Sequence, residues 1–204
     1  MAGAETFEII VPHDPARREL TAVRRVLIQS SLAELKTLGV YERYCASMDP
    51  SVLAEMTSLV GPGWVPLEFV LAHYEACDQL QLDDEPIRAA GSRTAENVQR
   101  ALLANGVQAG DPGLMELPWS MLGAFARMGK RVYEGSSSQY VKIGRKRLLI
   151  ENVGNPLYGF RYYRIAHAGF IHAAFGKLGV KVVDVSLAPY QSAGAVMETR
   201  ITWR

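Results

Sequence analysis

The period of the hydrophobic pattern changes part-way along the chain, and this change constrains the fold more than any other feature of the sequence. Up to residue 135, apolar residues recur near helical spacing, as Leu20, Val23, Leu27 and Leu35 do. From residue 136 onwards, short alternating runs surround one helical stretch. The pattern predicts an α+β fold: a helical N-terminal two-thirds packed with a C-terminal four-stranded antiparallel sheet (ββαββ) that one helix crosses.

We expect the 204 residues to form one domain, residues 1–204, with a mainly helical part at 1–135 and the ββαββ part at 136–204. The first part carries a net charge of −6 and the second a net charge of +7. Opposite charges favour docking of the two parts on each other. Nucleic acid is therefore disfavoured as a partner.

Caps, prolines and glycines predict where the helices begin and end. Asp14-Pro15 indicates a helix start, and Asp49 caps a second helix. A later helix is predicted to break at Gly91 and to restart after it. Pro118 begins a helix whose buried side includes Phe125 and Met128.

The last third of the sequence reads as two strand pairs with a helix between them. "QYVKIGRKRLLIENV" predicts two strands around a tight turn at Gly144-Arg145. "VKVVDVSLAP" (180–189) alternates, and "AVMETRITWR" (195–204) supplies its partner strand. A short extended run, "FEIIVP" (7–12), precedes the helical part.

The helix that crosses the sheet contains "YYRIAHAGFIHAAF" (162–175). At 100° per residue, His167 falls at the centre of an apolar stripe, whereas His172 points elsewhere, so the two cannot chelate one metal. A buried imidazole needs a partner, and three interpretations supply one. They are a structural hydrogen bond, a place in an apolar ligand pocket, and axial ligation of a haem.

The pocket interpretation gives a definite set of wall residues. They are Tyr163, His167, Phe170 and Ile171 on this helix, with Phe125 and Met128 opposite.

Small residues gather on the other side of the same helix. Gly169, Ala173 and Gly176 share a face that allows another backbone to approach closely. The neighbour is either a helix of the same chain or a second subunit. We therefore assign these three residues to an interface, with a homodimer as one way to form it.

Other candidate chemistry is sparse. His73 and Cys77 stand at i and i+4 and could offer two zinc ligands, but no second paired motif completes a site, so no metal is predicted. Nucleophile-elbow and phosphate-loop patterns are absent, and no catalytic residue is assigned. Two unpatterned cysteines and the lack of a signal or membrane segment predict a cytoplasmic protein with no membrane partner.

Four segments together resemble a paralogous family of unknown function that is best represented in myxobacteria. They are "IRAAGSRTAENV" (87–98), the hairpin "YVKIGRKRLLIENV", "LGVKVVDVSL" (178–187) and "TRITWR" (199–204). The resemblance extends to four-vinyl-reductase-type and haem-nitric-oxide-binding-type ligand domains. It implies helices followed by a sheet with a helix across it, and a pocket between them for a small apolar molecule.

The same resemblance bears on cofactors. The haem branch is marked by Tyr-x-Ser-x-Arg, which this sequence lacks; "YYRIAH" offers Tyr163 and Arg164 in another order. The expectation is therefore no cofactor, with haem disfavoured.

These observations favour a non-catalytic cytoplasmic regulatory module that binds a small apolar ligand or a partner protein. The alternative is a dimeric interaction or scaffold module with a fully packed interior. A haem or gas sensor is the third interpretation. The protein is not expected to be an enzyme.

Overall fold

The computed structural model describes residues 7–58, 63–104, 119, 122–177 and 180–204. Its helices are α1 (Arg25–Thr37), α2 (Tyr41–Ala46), α3 (Pro50–Ser58), α4 (Leu67–Gln79), α5 (Asp84–Ala104), α6 (Leu122–Val132) and α7 (Arg161–Lys177). Its strands are β1 (Glu8–Val11), β2 (Ala22–Arg24), β3 (Trp64–Pro66), β4 (Tyr133–Glu134), β5 (Ser137–Gly144), β6 (Arg147–Val153), β7 (Val182–Leu187) and β8 (Met197–Trp203). The helix start predicted at Pro118 lies outside the described residues. None of the helices in these ranges has both the length and the apolar character that a bilayer crossing requires.

The main sheet is antiparallel and has five strands, in the order β1-β5-β6-β8-β7. The prediction of four strands was wrong in this detail, although the four predicted strands are present. The fifth, β1, pairs with β5 so that Glu8 lies opposite Lys142. It covers one edge of β5, whose backbone groups would otherwise lack partners.

A second, three-stranded antiparallel sheet has the order β3-β2-β4. Its strand β2 lies within the helix predicted to start at Asp14-Pro15, so the first part of that prediction was wrong. Asp14 instead begins a turn, in which the Arg17 N–H bonds the Asp14 carbonyl at 3.0 Å, and the helix starts only with α1. Leu20 and Val23 are buried as expected, but the Thr21 N–H bonds the Glu134 carbonyl at 2.8 Å instead of a helical partner. Their helical spacing therefore reflects a strand that leads into a helix.

Helix α7 lies between the main sheet and α5. Ile171 and Phe175 pack into one cluster with strand residues such as Leu148, Ile150 and Ile201. Aromatic residues nearer the start of α7, including Tyr162 and Tyr163, join a second cluster with α1 and α4. The helix thus connects the two clusters of the core.

The contact between α5 and α7 depends on two glycines. A Cβ at Gly91 would lie 1.9 Å from the Ala166 carbonyl oxygen, and one at Gly169 would lie 2.0 Å from the Arg88 carbonyl oxygen. The Ser92 hydroxyl donates to the Gly169 carbonyl at 3.1 Å. The predicted helix break at Gly91 was wrong: α5 continues through it, and the missing side chain serves packing instead of ending the helix.

The three residues assigned to an interface lie in different surroundings. Gly169 is buried against α5 of its own chain. Ala173 is half-buried, and Gly176 is exposed with no atom near the position of a Cβ. The homodimer stays a prediction.

Adding a methyl group at either buried glycine should destabilise the protein. We expect Gly91→Ala and Gly169→Ala to lower the free energy of unfolding by at least about 1–3 kcal/mol, because the new Cβ would overlap a backbone oxygen. Gly176→Ala is the matched control and should be neutral or stabilising by up to about 1 kcal/mol, since alanine is the better helix former. Urea denaturation measures all three. Equal stabilities for Gly169→Ala and Gly176→Ala would contradict the close packing of α5 on α7.

Candidate functional site

His167 lies on α7 and makes one hydrogen bond with a tyrosine outside the helix. Its Nε2 is 3.0 Å from the hydroxyl of Tyr158, which belongs to the 3-10 turn Pro156–Gly159. Asn155 caps this turn, because its Oδ1 accepts from the Leu157 N–H at 3.1 Å. The amide of Asn155 also donates to the Tyr163 hydroxyl at 3.3 Å. Asn155 therefore ties the turn that carries Tyr158 to α7.

Aromatic rings surround the imidazole. The rings of Tyr163 and Phe170 stack on it at centroid distances of 5.7 and 6.3 Å. The Tyr158 ring meets it edge-on at 5.2 Å. The three α7 rings at positions 163, 167 and 170 therefore share one side of the helix, as the angular analysis predicts.

The groups beside His167 are uncharged at neutral pH. Burial lowers the pKa of His167 to about 4, because the charged imidazolium would lose its hydration. Burial also raises the pKa of Tyr158 and Tyr163 well above the usual value for tyrosine. The site is thus a neutral, hydrogen-bonded group within an aromatic environment.

Two small cavities adjoin His167 and Phe170. The larger, of about 50 Å³, lies between α6, α7 and the main sheet. The smaller, of about 30 Å³, lies on the side of α1, α4 and α5. The part of His167 that is not covered by protein faces these spaces.

The structure brings five of the six predicted pocket residues around the larger cavity. Its lining includes Phe125, Met128, His167, Phe170 and Ile171. Tyr163, the sixth, lines the smaller cavity with His167 and Phe170.

Sequence reasoning did not find the polar side chains of this site. Ser138, Asn152, Asn155 and Tyr158 also line the larger cavity. Asn152 could have been found, because it lies in phase with the buried residues Leu148 and Ile150 of β6.

His73 is fully buried and has a structural environment. Its Nδ1 is 2.8 Å from the Tyr44 hydroxyl, and its Nε2 is 2.9 Å from the Ser31 hydroxyl. Cys77 Sγ is 3.8 Å from the same Nε2. Both ring nitrogens are engaged, and in the ranges that the structure describes no three His, Cys, Asp or Glu residues gather as metal ligands would.

The fold is that of H-NOX domains. An H-NOX mutant from K. algicida superposes with a TM-score of 0.60 at 10% sequence identity, over 89% of this chain and 96% of that chain. A Tt H-NOX double mutant gives 0.59 at 13% identity, over 89% and 95%. An oxygen-binding H-NOX domain related to soluble guanylate cyclases gives 0.55 at 12% identity, over 87% and 93%. No protein-family model and no curated protein sequence matches the chain.

These matches contradict the expectation of no cofactor with haem disfavoured. One of the solved structures with this fold was determined to probe the function of haem distortion in the H-NOX family, so haem is bound in that family. The expectation rested on one linear motif, Tyr-x-Ser-x-Arg. This chain and the K. algicida H-NOX mutant share the fold although only 10% of their aligned residues are identical. The absence of one short motif is therefore a weak guide to the cofactor. The resemblance to haem-nitric-oxide-binding-type domains is confirmed at the level of the fold.

His73 and His167 should make stability depend on pH. Burial lowers the pKa of His167 to about 4 and that of His73 to about 3. The unfolded chain protonates both below about pH 6.5, whereas the folded chain does not. Their contribution is therefore complete above pH 6.5 and is lost as the pH falls towards 4 and 3. Within this window, each of the two histidines should lower the free energy of unfolding by roughly 1.4 kcal/mol for every pH unit by which the pH falls.

Urea denaturation at pH 7.5 and pH 5 measures this dependence. His167→Gln should reduce the loss of stability between the two pH values by about the contribution of one histidine. His172 is exposed on the same helix, and His172→Gln serves as the control that keeps the wild-type loss. An unchanged loss in His167→Gln would show that the imidazole is not held neutral.

Proposed function

We propose that this chain is a regulatory sensor domain that detects a small uncharged molecule in the core beside His167, with haem as its cofactor. The observation that carries the proposal is the combination of the H-NOX fold with a neutral histidine and tyrosine pair at a cavity. The oxygen-binding neighbour has this fold. The cavity lies where α7 crosses the sheet. Because α7 contributes to both hydrophobic clusters of the core, a ligand bound here would affect both.

The donor set beside the cavity fits a haem iron in kind. Neutral histidine binds haem iron in proteins, and the neutral Tyr158 hydroxyl offers a hydrogen bond beside it. Phe125, Met128 and Phe170 provide the apolar and aromatic wall that a porphyrin needs. The volume of about 50 Å³ is smaller than a macrocycle. Binding therefore requires the α6 wall to move away from α7.

In this proposal, His167 and Tyr158 hold the polar centre of the site and the aromatic residues exclude water from it. A bound haem would supply an iron that takes a diatomic gas. His167 stays unprotonated at neutral pH. Its Nε2 could therefore offer a lone pair to the iron in place of its hydrogen bond with the Tyr158 hydroxyl.

We further propose that the domain is non-catalytic and cytoplasmic, that it comprises residues 1–204, and that it belongs to the myxobacterial paralogous family. It signals through a partner protein or a second copy of itself.

Titration with hemin tests the cofactor. We expect wild-type protein to give a saturable Soret band, with one hemin bound per chain, because the core offers one histidine and tyrosine pair at a cavity. His167→Leu should lose or strongly shift the band, since the imidazole is the group proposed to hold the iron. The reading is the absorption spectrum of purified protein, in parallel with circular dichroism to show that the variant is folded.

His172→Leu is the matched control. It removes an exposed histidine from the same helix and should leave the Soret band unchanged. Wild-type protein that shows no Soret band in excess hemin contradicts the haem proposal. The same holds if His167→Leu and wild type give identical spectra.

A second function, the capture of a small apolar molecule without haem, is favoured by the cavity itself. About 50 Å³ lined by Met128, Ile150 and Ile171 suits a molecule of a few heavy atoms.

Dissolved xenon probes this second function by methyl NMR. We expect xenon to shift the methyl signals of Met128, Ile150 and Ile171, because apolar cavities take up xenon. Ile28, which is buried away from this cavity, is the internal control and should not shift. Unmoved signals at all three cavity methyl groups would exclude uptake at this site.

A further inference from the structure

An amide of β6 offers an unpaired hydrogen-bond donor at the larger cavity. Asn152 is buried, with 8% of its surface exposed, and it lines the cavity. Its Oδ1 accepts from the Ser138 hydroxyl at 2.7 Å across the β5–β6 ladder. Its Nδ2 has no hydrogen-bond partner. A buried amide that keeps a free N–H gives up its hydration without a replacement, so a partner in the cavity would stabilise it.

Two other donors at this cavity have partners of their own. Tyr158 and His167 form their own hydrogen bond, and the amide of Asn155 donates to Tyr163. Thr199 on β8 also has a buried hydroxyl without a partner, but it does not line the cavity. Asn152 thus combines an unpaired donor with adjacent space.

The lining also restricts the charge of what can enter. Among the described residues that line the cavity there is no Asp, Glu, Lys or Arg, and its histidine is held neutral. A charged group placed here would lose its hydration without a countercharge. The occupant is therefore uncharged where it meets the cavity.

We propose that the Asn152 amide donates a hydrogen bond to the occupant, and that the ligand is a small uncharged molecule with an apolar body and one acceptor atom. The apolar body lies against Phe125, Phe170 and Ile171, and the acceptor atom lies at Asn152 and Ser138 on the sheet. The inference rests on the proposed ligand-sensing function of this cavity. It adds the residue that selects the ligand and the chemical class that it selects.

Acetone and isobutene form a matched pair of probes, because they have nearly the same shape and only acetone has an acceptor oxygen. Their binding to ¹⁵N-labelled full-length protein is measured by NMR, and the quantity compared is the ratio of the two affinities. We expect Asn152→Leu to lower this ratio, acetone over isobutene, about tenfold. In the wild type, acetone should also shift the side-chain amide signals of Asn152, which the variant identifies by their absence.

Thr199→Val is the control, since it removes a buried unpaired hydroxyl away from the cavity and should keep the wild-type ratio. If Asn152→Leu does not fold, Ser138→Ala combined with Asn152→Leu removes both partners of their hydrogen bond and replaces the single variant. A ratio that is unchanged on loss of the amide overturns the inference, and so does a failure of both probes to bind. A long-lived water that remains on the amide in saturating acetone also overturns it.

The outcomes separate this inference from the proposed function. Isobutene and acetone that bind without discrimination leave the sensor cavity in place and remove the role of Asn152. A protein that takes no hemin but discriminates the probes through Asn152 removes the haem cofactor and keeps the inference.

Discussion

The backbone contact between α5 and α7 is the constraint on which the rest of the site depends. Gly91 and Gly169 each bring a carbonyl oxygen of the other helix to a distance that no side chain allows. This contact holds one side of α7, while Ile171 and Phe175 hold the other side against the sheet. Because both of these faces are packed, α7 keeps its position even though cavities lie beside the flank that carries Tyr163, His167 and Phe170. The cavity thus lies on a flank of α7 between two faces that are closely packed.

Two histidines show why a neutral imidazole and a phenol partner do not by themselves define a site. Both His73 and His167 are held neutral and both bond to a tyrosine hydroxyl. His73 has a second partner at its other nitrogen and packs between rings, so its bonding capacity is complete. His167 adjoins two cavities instead. The difference between a structural and a candidate ligand-binding histidine is therefore the adjacent space.

Local periodicity predicted the helix faces, whereas contacts between distant segments could not be read from the sequence. The angular position of His167 follows from 3.6 residues per turn, and the structure places it with Tyr163 and Phe170 as expected. The pairing of β1 with β5 joins segments more than 120 residues apart, and Gly91 resembles a helix end until α7 is placed against it. Tyr158 lies in a 3-10 turn without periodicity. The alternation of β6 indicates that Asn152 is buried, but the cavity beside it depends on the placement of α6 and α7.

The same geometry indicates which wall of the cavity can yield to a ligand. Strands β5 and β6 are joined by a ladder of backbone hydrogen bonds, and α7 is fixed by carbonyl contacts to α5. The α6 wall meets the others through side chains, as Phe125 does with Phe175 and Tyr140 at 5.3 and 6.3 Å. Moving α6 costs these ring contacts and two exposed polar contacts, from Lys130 to Asp14 and from Arg24 to the Arg131 carbonyl. Separating the other walls breaks ladder hydrogen bonds or backbone packing. A ligand larger than the cavity therefore displaces α6 at the lowest cost, and α6 is the element that would report its presence.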